Sequence, residues 1–365
     1  MFTLGGSCKR RNCELVLQDK MKTRIFADIT QWHIELMKRL IPILLILVTL
    51  LTACRHNANN YKIKLAPQDI VTMQVNRYDI DLASIDTNDF VNGLISISDK
   101  YSVFLGDVKS DTSGVHHICE FLSDPFIAKI TEDSRKAFPP KYSFRELNDA
   151  LNHLKHYYPN LKTPTIYTYI SGIDYEYPVI YNDDMLIIAL DMYLGKDYEL
   201  YREIGMPMYK TRRYDRDYLA KDCMMEIADA LNVDESQCNK LIDWIIYYGK
   251  NIEFTKRMIP DIADTTLLGY TSSQMEWCKQ NEAAVWKYLV SDEKLFSTDI
   301  VLIRKFIDDG PFTSLFSHDS PSSLGRWIGW KIVSNYCKNE DIDISQLMQL
   351  SDSQEILNES HYRPK

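Results

Sequence analysis

Three acidic residues in one stretch of this chain have the spacing of a ligand set. Asp222, Glu226 and Asp229 fall at i, i+4 and i+7, so a helix there places all three on one face. Three carboxylates supply the hard oxygen donors that suit a cation such as Ca²⁺. A solvated acidic helix face carries the same pattern without binding anything. No other reaction chemistry stands out: the sequence has no G-x-S-x-G, no Walker phosphate loop, and no G-x-G-x-x-G after a strand. The paired imidazoles of His116 and His117 chelate poorly, because adjacent residues point to different sides of a helix or strand.

The thiol of Cys54 is the second group with chemistry. Lys38 and Arg39 open a cationic start, Leu40 to Leu51 is an apolar run, and Leu51-Thr52-Ala53-Cys54 ends it with small residues. That is the order of parts in an export signal. The run contains Pro42 and is too short to span a bilayer, which takes roughly 20 apolar residues. Leu-x-Ala-Cys resembles the bacterial lipobox, in which the cysteine sulfur takes a diacylglycerol, the signal is cut between Ala53 and Cys54, and the new amino terminus is acylated. Several acyl chains on one residue make a durable membrane anchor. Residues 1–36 do not fit in front of such a signal, and translation is expected to start at Met37. The expected organisation is a non-structural leader over 1–36, a signal over 37–53, a lipidated cysteine and tether over 54–68, one domain over 69–345, and a polar tail over 346–365.

With 42 Lys+Arg against 51 Asp+Glu, the chain carries a net charge of −9. Such acidity argues against a nucleic-acid-binding surface, which needs clustered Lys and Arg. Cys119, Cys223, Cys238, Cys278 and Cys337 are odd in number and widely spaced, with no C-x-x-C, so they form neither a disulfide framework nor a zinc knuckle.

The elements that must position Glu226 are legible from periodicity. Alternation over Val71 to Leu82 predicts a bent or bulged strand, and helical spacing follows over Asn88 to Leu105 and His116 to Ile130, broken at Pro125. Ser143-x-x-Glu146 has the form of a capping box opening a helix to about Tyr158. Thr165 to Ser171, Pro178 to Asn182 and Met185 to Asp191 read as strands covered on at least one face. Asp215 caps a helix to Leu231, and a second runs from about Ser236 to Met258. Thr271-x-x-Gln274 is a further capping box, and Ser320-Pro321 reads as the start of a helix in which Gly325 and Gly329 allow close packing. The expected class is α+β, mostly helical with a small sheet.

Strands followed by two helices is the order in which zinc-dependent peptidases place H-E-x-x-H on the first helix and a further ligand on the second. Zinc needs donors four apart on one helix face, and the intervening Glu polarises its water. Here that place reads Met225-Glu226-Ile227-Ala228-Asp229, and the second-helix position reads Tyr248-Gly249. Met is a soft neutral ligand and Tyr a weak one, so Asp229 alone cannot hold zinc. This is a zincin-like arrangement with a degenerate site, and no cofactor is expected beyond the lipid on Cys54.

Longer strings carry a more specific likeness. Asn76-Arg77-Tyr78-Asp79-Ile80-Asp81, the run from Ile188 to Gly195, Gly269-Tyr270-Thr271, Glu276-Trp277-Cys278, Asn281-Glu282, Trp286, Gly310-Pro311-Phe312-Thr313, Ser320-Pro321 and the run from Gly325 to Val333 resemble the GldB family of gliding motility lipoproteins. The resemblance covers the chain from about Met73 to Tyr336. It implies a lipoprotein of the bacterial outer membrane facing the periplasm, working with other envelope proteins of gliding or secretion machinery. It also implies a peptidase-like, non-catalytic fold whose metal motif has decayed. The alternative is an envelope hydrolase using Asp222, Glu226 and Asp229 as an atypical metal site.

Overall fold

The structure, a computed structural model, describes residues 61–110, 113–182 and 184–365. The leader, the signal, Ala53 and Cys54 lie outside the described residues. Residues 61–365 form one compact unit.

Four short strands make one mixed sheet: β1 (Val75–Arg77), β2 (Thr165–Tyr169), β3 (Val179–Asn182) and β4 (Met185–Ala189). Their order is β1-β2-β4-β3; β1, β2 and β4 are parallel, and β3 is an antiparallel edge paired Val179 to Ile188. Side chains alternate across a strand, and here the alternation separates two cores. Ile166, Leu186 and Ile188 face the main core, while Tyr167 and Tyr169 turn toward Tyr101 and Phe104 of a smaller one.

Nine helices of eight or more residues occur among the described residues. They are α1 (Phe90–Ile97), α2 (Val115–Ser123), α3 (Pro125–Ala137), α4 (Arg145–Tyr157), α5 (Arg216–Leu231), α6 (Leu241–Met258), α7 (Ser272–Val290), α8 (Ile300–Ile307) and α9 (Leu324–Glu340). Pro125 divides α2 from α3 by sitting at the first turn of α3, where Asp124 accepts from the Phe126 amide at 2.7 Å. At α7 the capping box forms: Thr271 Oγ1 accepts from the Gln274 amide and Gln274 accepts from the Thr271 amide. Helix α6 is central and largely buried. It crosses α9 backbone to backbone, because a Cβ on Gly329 would lie 1.9 Å from the Ile245 carbonyl oxygen and one on Gly249 2.4 Å from Gly329.

Several expectations are corrected. The long strand ends at Arg77 and Tyr78–Leu82 is a helical turn. Tyr78 and Leu82, four apart, bury together in the small core, so the apolar residues read as alternation serve a helix. Arg77 and Thr168 bind the buried Asp79 carboxylate from two sides, fixing that bend. The Ser143–Glu146 box does not form, since α4 is capped at Phe144 with no side-chain bond. Ser320 and Pro321 do not start α9, because Thr313 donates its amide and hydroxyl to the Pro321 carbonyl and holds that segment as a loop, delaying the helix to Leu324. Residues 346–365 are part of the core: Leu347, Met348, Ile356 and Tyr362 are buried. There the buried Lys250 ammonium donates to the carbonyls of Met348 at 3.1 Å and Leu350 at 2.7 Å. The tether, too, is bound at its end, where the Tyr61 hydroxyl reaches Glu253 and Ser334.

Candidate functional site

Helix α5 carries the acidic residues. Its buried stripe of Leu219, Cys223 and Ile227 turns toward the main core and leaves Asp222, Glu226 and Asp229 along a flank. The three carboxylates do not converge. Asp222 and Asp229 are two turns apart, about 10 Å along the axis at 1.5 Å per residue, whereas two oxygens on one Ca²⁺ each lie about 2.3–2.6 Å from it. Each also has its own partners. Asp222 accepts from the buried Tyr193 hydroxyl at 3.0 Å and from Lys221 at 2.7 Å. Asp229 accepts from the Tyr247 hydroxyl at 2.7 Å and from Asn251 Nδ2 at 3.1 Å. Among the described residues no group of three or more His, Cys, Asp and Glu is placed to hold a metal ion.

Met225 and Asp229 both face α6. The Thr255 hydroxyl donates to Met225 Sδ at 3.2 Å. Tyr247, Asn251 and Thr255 therefore form a polar stripe at i, i+4 and i+8 that meets Met225 and Asp229 side by side. Asn232 extends the stripe, donating to Asn251 Oδ1 at 2.7 Å. Tyr248 is not part of it. Its ring lies under the Arg326 guanidinium at 4.0 Å and stacks on Trp244, so the hydroxyl that meets Asp229 belongs to Tyr247. Gly249 is required by the approach of α9, not by a ligand. The stripe was legible in principle as three hydrogen-bonding residues spaced four apart along one helix, Tyr247, Asn251 and Thr255.

Glu226 is the residue the stripe does not absorb. Its side chain keeps contact with solvent, yet surrounding protein atoms remove part of its hydration. That loss, with repulsion from Asp229 and then Asp222, pushes its carboxyl up to about 7. Burial and the neighbouring Asp222 hold the Tyr193 phenol protonated. The arrangement offers one group able to exchange a proton near neutral pH, with no side chain hydrogen-bonded to it among the described residues.

Two residues in the strings that carry the family likeness fix loops in place. Asp191 is fully buried and accepts from the Ser171 and Ile173 amides at 2.9 and 2.7 Å. It thereby holds Ile173 at φ +67°, a conformation a β-branched residue rarely adopts. Tyr270 donates to the Ser322 carbonyl at 3.0 Å and locks the loop before α9.

None of the described helices is long and apolar enough to cross a membrane. A family model described as gliding motility protein GldB matches residues 58–364. No curated protein and no solved structure matches the chain.

Proposed function

The chain belongs to the family of gliding motility protein GldB, and from that premise we propose that it is a non-catalytic, lipid-anchored protein of the cell envelope. It sits at the outer membrane through diacylglycerol and N-acyl chains on Cys54, faces the periplasm, and acts with other envelope proteins as a component or assembly factor of gliding or secretion machinery. Its helical pair derives from a zincin-like scaffold. The observation that carries this reading is the engagement of Met225 and Asp229 by Thr255, Tyr247 and Asn251, which leaves the old ligand positions occupied by protein contacts. The mixed sheet with an antiparallel edge, followed by α5 and α6, supports the same ancestry.

One observation favours the second reading, a metal-dependent envelope hydrolase: the Glu226 carboxyl, pushed up to about 7, lies in the range useful to a general base. Gene replacement separates the two. Glu226→Gln is expected to keep the full wild-type phenotype, while Cys54→Ala loses membrane association and function together. Loss of function in Glu226→Gln at normal protein abundance sinks the non-catalytic reading.

A further inference from the structure

We propose that the groove between α2, α3 and the helical turn Tyr78–Leu82 binds a long-chain fatty acid, with its carboxylate held by Arg135. Two cavities, of about 220 and 530 Å³, share Leu82, Ala83, Leu122 and Thr131 in their walls and so adjoin. The first is closed in by Tyr78, Ile118, Phe121 and Ile170, the second by Ile85, Phe90 and Ile127. Ile85, Phe90, Ile118 and Leu122 are only half-buried: they pack on the small core and also line the groove. The larger cavity alone reaches the size of a small-ligand site, about 300–1,000 Å³, and its apolar walls with a few polar groups are the usual form of one.

The wall changes character along α3. Ile127, Thr131 and Arg135 stand at i, i+4 and i+8 on one helix face, about 12 Å from first to last at 1.5 Å per residue. One end is therefore apolar and the other cationic. Arg135 is half-buried and has neither an ion pair nor a hydrogen bond among the described residues. The other charged groups on the walls are engaged. Lys136 pairs with Glu132 at 2.6 Å, Arg77 and Thr168 hold Asp79, and His117 lies 3.6 Å from Glu120. In a chain of net charge −9, this leaves one free guanidinium at the end of an apolar groove.

That combination selects the ligand. The apolar walls favour an alkyl chain in proportion to the area it buries. The guanidinium fork presents paired N–H donors that match both oxygens of a carboxylate. With one cation unpaired, a head of one negative charge is balanced, whereas a phosphate monoester brings up to two. A neutral apolar helix laid in the groove would leave Arg135 unmatched. None of the lining residues lies on the acidic flank of α5, so the site is independent of any role for Glu226.

The test is equilibrium binding of radiolabelled palmitate to the full-length chain in detergent, with protein-free micelles as the blank. A palmitate carrying a diazirine at its far end maps the tail. Saturable binding above the blank is expected, with crosslinks at Ile118, Phe121 or Ile170. Arg135→Gln is expected to weaken binding about tenfold or more, since a charge-assisted pair is lost, and Arg135→Lys by less. Ala83→Phe, at an exposed position that lines both cavities, fills the groove and is expected to abolish binding. Neither substitution enters the core, so without palmitate both variants should melt as wild type does. Hexadecanol, with the same tail and no charge, should compete about tenfold more weakly than palmitate. Competition by palmitoyl lysophosphatidic acid as strong as that by palmitate would refute the carboxylate head. No saturable binding above the blank, or unchanged binding in Arg135→Gln or Ala83→Phe, overturns the proposal; self-association lost in Ala83→Phe would then assign the groove to a second copy.

Discussion

Helix α6 shows two solutions to packing. Toward α9 it is steric: Gly249, Gly329 and Ile245 bring two backbones into contact, and no side chain larger than hydrogen fits. Toward α5 it is chemical: Tyr247, Asn251 and Thr255 reach Asp229 and Met225 through hydrogen bonds that other polar side chains could replace. The face that meets the acidic flank of α5 is therefore the tolerant one. The face toward α9 is the demanding one, because close packing penalises added volume more steeply than hydrogen-bond exchange penalises a changed partner.

Substitution can sharpen this contrast. The largest effect is expected at Gly329→Ala, whose methyl would sit 1.9 Å from the Ile245 carbonyl oxygen. A destabilisation of about 3 kcal/mol or more is expected, read by denaturant unfolding. Next comes Glu253→Gln, on the side of α6 that meets α9. Its buried carboxylate accepts from Trp330 Nε1 at 3.1 Å, from Tyr61 at 3.2 Å and from Arg257 at 3.2 Å. Breaking a buried pair on one side costs about 3 kcal/mol. On the α5 side, Asp229→Asn keeps an acceptor for Tyr247 and Asn251 and should cost about 1 kcal/mol or less. If Asp229→Asn proved costlier than Gly329→Ala, the contrast would be wrong.

The smallest effect is expected at Glu226, and it concerns pH. Its carboxyl titrates at about 7 in the folded chain and at about 4.3 when unfolded. Between these values the folded state binds more protons than the unfolded one, so this group makes the protein less stable as pH rises from about 4.3 to 7. Solvent contact at Glu226 screens the effect to below about 1 kcal/mol. Glu226→Gln should flatten that part of the stability profile while leaving the protein at pH 5 nearly unchanged, which melting curves across the window would show.

Much of this was legible from local chemistry. The three strands after residue 164, the helix pair around Glu226, the reciprocal cap at Thr271 and Gln274, and the close approach at Gly325 and Gly329 each follow from period or from a residue type with one physical use. Gly325 meets the Phe306 carbonyl oxygen as Gly329 meets that of Ile245. Reading failed where a residue had a competing partner far away in the chain. Ser320 donates to the Ser317 carbonyl at 2.7 Å and does not cap α9. The polar-looking end after residue 345 is drawn into the core by Lys250, a residue nearly 100 positions earlier. In the candidate site the acidic flank is visible in the spacing, whereas the choice between Tyr247 and Tyr248 is not, because adjacent helical residues differ by about 100° in direction and only packing decides which faces α5.

On the proposed non-catalytic reading, the α5 flank holds no metal and performs no metal-assisted chemistry. Elemental analysis of the full-length chain, purified in detergent without chelator, tests it most directly. Zinc and calcium well below one per chain are expected, with the same value in Asp229→Ala. One ion per chain, lost in Asp229→Ala, would contradict the account and make Glu226 the base of a working site.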